Sequence, residues 1–81
     1  MRKHTIEIGA VHVPVKRRQT IEPAKVQALA ESMLVAGQQL PILLRPDGGR
    51  FVLVEGLHRL EALKALGETT VEAYLVNARL H

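Results

Sequence analysis

Cysteine and tryptophan are absent from this 81-residue chain, and Ser32 and Asp47 are its only serine and aspartate. Without cysteine there is no disulfide framework, no thiolate metal site and no cysteine nucleophile. Phe51 and Tyr74 are the only aromatic residues, so the core must be aliphatic and no stacking platform for single-stranded nucleic acid is available. Nothing places a base beside Ser32, which leaves no hydrolytic triad. His4, His12, His58 and His81 fall in none of the zinc-ligand spacings, and no metal held by the protein alone is expected. Walker and dinucleotide glycine fingerprints are missing too. No long apolar run occurs: Met1-Arg2-Lys3-His4-Thr5 leads into polar–apolar alternation. Neither a signal peptide nor a transmembrane segment fits that pattern, and a cytoplasmic protein away from membranes is the expectation.

What is present is a chain 47% apolar, enough for the core of one small domain over residues 1–81. The net charge of +3 is mild, and its main basic cluster is Lys16-Arg17-Arg18. That cluster favours anionic partners and is the candidate nucleic-acid contact, with a solvated loop as the alternative.

Hydrophobic spacing gives the elements. Residues 5–8 and 11–15 alternate at period two on either side of Gly9, which predicts one bent strand or two short ones. Pro14 implies a sheet edge or strand end. Thr20-Ile21-Glu22-Pro23 opens a helix, with proline at the first helical position and Glu22 at or near the cap. Val26, Leu29, Ala30 and Met33 recur at helical spacing, and Gly37 ends the run. Lys25 and Ser32 share one edge of that helix and can face the same pocket. Residues 41–45 and 50–54 flank the turn Pro46-Asp47-Gly48-Gly49, the clearest hairpin of the chain, with Asp47 in a structural turn role. A second helix runs from about Leu57 to Leu66, stopped by Gly67, and residues 69–76 form a last strand. The order β, (β), α, β, β, α, β predicts an α+β fold, a mixed sheet whose two main helices frame a central hairpin.

The corner between the hairpin and the second helix, Val54-Glu55-Gly56-Leu57-His58-Arg59, is electrostatically unusual. A helix N-terminus carries unsatisfied N–H groups and a partial positive charge, so it favours acids and disfavours cations. Here glycine stands at the cap position, and His58 and Arg59 sit in the first turn. Such a start suits an external anion, most simply a phosphate. On a helical wheel Leu60, Ala62, Leu63 and Leu66 define the apolar face, with Arg59 in its middle and His58 on its edge. A guanidinium so placed needs a partner: a structural carboxylate such as Glu7, Glu22 or Glu72, or a bidentate phosphate. Glu55 is the one carboxylate beside the corner, a candidate acid–base group or Mg²⁺ ligand.

Two blocks give the chain a family likeness over residues 11–76. The stretch from Glu22 to Met33 is similar to the helix after the first strand in sulfiredoxins and in ParB N-terminal domains. Gly56-Leu57-His58-Arg59-Leu60-Glu61-Ala62 resembles the Gly-Cys-His-Arg motif of sulfiredoxins and the Gly-Glu-Arg-Arg-x-x-Ala box of ParB proteins. The resemblance to this superfamily implies that both blocks face nucleotide phosphates, with Lys25, Ser32, Gly56, Leu57, His58 and Arg59 at the binding positions. Ala28 stands where sulfiredoxins have a serine. Leu57 stands where their catalytic cysteine would be, which excludes sulfinic acid reduction, and it also replaces the glutamate of the ParB box. Glu55-Gly56-x-His58-Arg59 is close to the Asp-Gly-His-His-Arg pattern of free-serine kinases, which also use an earlier acid where this chain has Lys16-Arg17-Arg18.

Three functions compete at this stage. The first is a nucleotide-binding ParB-like module for DNA maintenance or segregation, taking ATP or CTP with Mg²⁺ and meeting DNA non-specifically or through a partner protein. The second is a small phosphotransferase or nuclease with Glu55 as the catalytic group. The third is a regulatory interaction domain that has lost the ligand, with Arg59 in an ion pair. An edge strand and the small size favour a homodimer.

Overall fold

The computed structural model describes residues 2–38 and 40–77; His81 lies outside them. The alternating segment around Gly9 forms two short strands, β1 (Lys3–Glu7) and β2 (Val11–His12), joined by a single 3-10 turn at Ile8–Ala10. A four-residue helix α1 (Val15–Arg18) follows, so Val15 is helical where the alternation over residues 11–15 predicted strand, and the basic cluster lies on this helix rather than in a loop, the alternative weighed for it. The helix opened by Pro23 is α2 (Pro23–Ala36), with Glu22 as its cap residue in extended conformation. The hairpin consists of β3 (Ile42–Asp47) and β4 (Arg50–Glu55), closed at Asp47 opposite Arg50. There Asp47 accepts from Arg50 Nε at 3.3 Å, the structural role its turn position implied. Helix α3 (Leu57–Ala65) and strand β5 (Thr70–Leu75) complete the described elements.

The sheet order is β1-β5-β3-β4-β2, with β1/β5 and β3/β4 antiparallel and β3/β5 and β2/β4 parallel. The hairpin is therefore flanked by β5 on one side and β2 on the other, and β3 alone is central. β1 and β2 occupy opposite edges, yet three residues separate them. Four Cα steps span at most ~14 Å, whereas four strand spacings of a flat sheet measure ~19 Å. The sheet must therefore roll toward a barrel. The segment from Lys3 to His12 acts as one bent strand, pairing with β5 through its first half and with β4 through its second.

One face of the rolled sheet carries the core. Ile42 and Leu44 of β3, Leu53 of β4, and Val71 and Ala73 of β5 are buried against Leu57, Leu60, Ala62 and Leu63 of α3 and Met33 of α2. The period-two positions of the strands and the i, i+3 positions of α3 thus meet as an aliphatic layer. No helix among the described residues is long and apolar enough to cross a membrane.

A glutamine extends the sheet where β3 has not yet begun. β3 starts at Ile42, opposite Ala73, so the peptide of Glu72 lacks a strand partner on that side. Gln38 supplies one: its Nε2 donates to Glu72 O and its Oε1 accepts from Glu72 N–H, both at 2.9 Å. Gln38→Ala strands both groups in a half-buried position. A loss of about 2 kcal/mol in urea denaturation is expected, near 1 for each bond.

Candidate functional site

The corner is shaped by a bulge and a glycine. Leu43 pairs with Glu55, while the next β3 residue, Leu44, pairs with Leu53, so Val54 is an extra residue on β4. A bulge takes a peptide out of the ladder and re-aims the strand, and bulges concentrate next to functional sites. The freed carbonyl of Val54 accepts a hydrogen bond from Arg17 Nη1 at 2.9 Å. This contact corrects one expectation. The basic cluster acts as two exposed side chains, Lys16 and Arg18, and one inward strut, because α1 turns Arg17 onto the bulge.

Gly56 follows in the left-handed region, φ 109° and ψ 30°, as the cap residue of α3. A β-carbon there would lie 2.5 Å from Ile42 Cγ2 and 2.8 Å from Ile42 Cβ. Only glycine fits that approach. No side chain caps the helix and no acid occupies its first turn, as the sequence predicted. The first intrahelical bond runs from Leu60 N–H to Gly56 O, so the N–H groups of Leu57, His58 and Arg59 form the open end of the dipole.

The side chains of that turn divide into three tasks. Leu57 is buried, 5% exposed, and packs into the core with Leu60 one turn on. The side chain is therefore committed to the core, and what Leu57 offers at the helix end is its backbone N–H. His58 Nε2 accepts from the Glu22 N–H at 3.0 Å, which puts the ring proton on Nδ1 and leaves that nitrogen as a donor. Arg59 Nη1 donates to Pro41 O, at 2.5 Å, and to Leu40 O, at 3.4 Å. The carboxylate partner weighed for Arg59 is absent: among the described residues no ion pair involves it, and carbonyls leading into β3 serve instead. Arg59 is half-buried there, between Ala62 and Leu63 on the helix wheel, with its guanidinium on the Pro41 carbonyl.

The two sequence blocks do meet. Ser32 of α2 and Arg59 of α3 line one small hollow of about 100 Å³ with Leu29, Met33 and Leu40. Lys25 is not part of it. Its ammonium pairs with Glu22 at 3.1 Å, on the same cap residue whose N–H meets His58, and both side chains are more than half exposed. Lys25, Glu22 and His58 thus stand together at the junction of α2 and α3, about two turns of α2 from Ser32. Glu55 is exposed at the end of β4, one residue from the corner. Among the described residues no group of three His, Asp or Glu side chains could hold a metal ion. Arg17 as a structural neighbour of the corner was missed from sequence; the signal was there in the basic cluster, but four residues carry no helical period.

The chain belongs to the ParB N-terminal domain family, whose sequence profile matches residues 2–80. No curated protein matches it. Among solved structures, sulfiredoxin from Arabidopsis thaliana superposes with a TM-score of 0.86 at 24% identity, covering 96% of this chain and 88% of that one. The C-terminally truncated chromosome-partitioning protein ParB from Caulobacter crescentus, complexed with CTP-γ-S, gives 0.83 at 24% identity over 98% of this chain and 46% of that one. A free serine kinase mutant in complex with ADP gives 0.80 at 22% identity, over 94% and 31%. The chain spans less than half of that ParB structure and about a third of the kinase. At these identities the likeness is one of fold, the α+β ParB/sulfiredoxin-like fold.

Proposed function

We propose that this chain is a nucleotide-phosphate-binding module of the ParB type, formed by residues 1–81 with the binding region inside 11–76, and that it serves DNA maintenance or segregation. The observation that carries the reading is the bare N-terminus of α3 at Gly56, a helix end with neither cap nor acid, held open by a glycine that nothing larger can replace. Phosphate oxygens would meet the N–H groups of Leu57, His58 and Arg59, the Nδ1 donor of His58 and the Lys25 ammonium. Ser32 and the free donors of Arg59 would form the second wall. A nucleoside triphosphate, CTP or ATP, would bring Mg²⁺ with it, since the described residues gather no acidic cluster. Complexes of fold neighbours with CTP-γ-S and ADP support the ligand class. The exposed Lys16 and Arg18 remain available for the phosphate backbone of DNA, while Arg17 is engaged at Val54.

Calorimetric titration with CTP, ATP and GTP in the presence of Mg²⁺ tests this. Wild type is expected to bind at least one of them. Lys25→Ala is expected to weaken that binding about tenfold while changing stability by less than ~0.5 kcal/mol, because the Lys25–Glu22 pair is exposed. Absence of binding to all three by wild type would overturn the reading.

A further inference from the structure

The rolled sheet leaves one ladder unused. β1 pairs with β5 on one side, and no strand lies on its other side among the described residues. Three hydrogen bonds show which of its peptides face outward. Ile8 N–H donates to Thr69 O, so by antiparallel alternation Ile6 and His4 also direct their backbone groups at β5. The backbone of Glu72, opposite Thr5, is taken up by Gln38 on the far side, so Thr5 and Glu72 are a non-bonded pair. Lys3 and Thr5 therefore turn their N–H and C=O groups to the open edge, and Glu7 turns its N–H there, its carbonyl serving as first acceptor of the 3-10 turn. Their side chains are the exposed ones of the strand.

We propose that this edge pairs with the same edge of a second copy of the chain, antiparallel, about a two-fold axis at Thr5. In that register Thr5 lies opposite its own copy. Lys3 lies opposite the partner subunit's Glu7, and Glu7 opposite the partner subunit's Lys3. The N–H and C=O of Thr5 pair with those of its copy, the Glu7 N–H meets the carbonyl of the partner subunit's Lys3, and both charges find their complement. A slip of two residues pairs Lys3 with threonine and leaves Glu7 over; a slip of one sets outward peptides against inward ones. Thr–Thr and opposite-charge pairs stabilise antiparallel strands, and like charges opposite each other destabilise them. A lysine on an edge ordinarily deters pairing. Here it deters every strand except one that offers an acid four residues on, which this chain itself does. The contact is isologous and closed, as a two-fold dimer requires. Three residues per strand make a small interface, so the dimer is weak, concentration-dependent and sensitive to salt.

Analytical ultracentrifugation of the full chain over a concentration series, at low and high salt, tests the proposal. Wild type is expected to show a monomer–dimer equilibrium that salt weakens. Lys3→Glu and Glu7→Lys, each alone, place like charges opposite and are expected to lower the association constant about tenfold or more. The double variant Lys3→Glu/Glu7→Lys restores both pairs in reversed sense and is expected to dimerise like wild type. An equimolar mixture of the two single variants is expected to form a heterodimer. Thr5→Pro removes an outward N–H that no intramolecular bond uses and is expected to abolish association, with circular dichroism reporting that the fold is kept. A wild type that stays monomeric up to about 1 mM, or a double variant as weak as the single ones, overturns the proposal.

Discussion

Gly56→Ala is expected to leave the protein largely unfolded under conditions where wild type is native. Two costs add. An L-residue at φ 109° leaves the allowed regions, at about 1–2 kcal/mol. Its β-carbon would also stand 2.5 Å from Ile42 Cγ2, a distance at which backbone must move. Ile42 is fully buried at the centre of the sheet, so no flexible tail can yield, and forced overpacking costs about 1–3 kcal/mol. A sum of about 2–5 kcal/mol compares with a total stability of about 4–12 kcal/mol for a chain of this length. Urea denaturation followed by circular dichroism measures it. Ile42→Ala is not expected to rescue the variant, because the Ile42 β-carbon that alanine retains is itself 2.8 Å away. Recovery of stability in that double variant would show that the clash lies with the side-chain tip alone.

Arg59→Ala is expected to cost about 2–3 kcal/mol even without any ligand, since a charge-assisted donor to a half-buried carbonyl contributes about 1.5–3 kcal/mol. The bond to Leu40 O is longer and exposed and adds little. Arg59→Lys is expected to recover less than half, because a point charge on a flexible stem cannot reproduce the planar guanidinium held between two successive carbonyls. Thermal denaturation of the three proteins at high salt measures this, screening the general effect of charge. The outcome separates the two tasks assigned to this residue. If Arg59 served phosphate alone, its removal would leave the ligand-free protein as stable as wild type.

The corner was legible because its signal is local. Glycine at a cap position and cations in a first turn violate the dipole within six residues, and the structure keeps that violation. The hairpin was legible for the same reason, with its turn residues between two apolar runs. The strand neighbours were not. Alternation tells which face of Thr70–Leu75 is apolar, but nothing in it says that β5 inserts between β1 and β3. Motif position marks Leu57 as a ligand position but does not say by which atoms; its spacing to Leu60 puts the side chain in the core and leaves the backbone N–H at the helix end. The partner of Arg59 was sought among carboxylates, since sequence gives no hint that Leu40 and Pro41 present carbonyls to that helix. Arg17 on Val54 depends on a bulge, and a bulge is a register event between two strands that neither strand announces.

The pairing of β1 with β5 bears on how the chain acquires its structure. Thr5 reaches Glu72 across 67 residues. Closing so long a loop costs about 4 kcal/mol in chain entropy beyond a constant term, before any contact repays it. The hairpin and α3 are local and can form early, whereas β1 must wait for β5, the last strand described. Until β5 is made, Lys3–Glu7 has no sheet to join, and the roll that unites both halves of the bent strand is the closing step of folding rather than its seed.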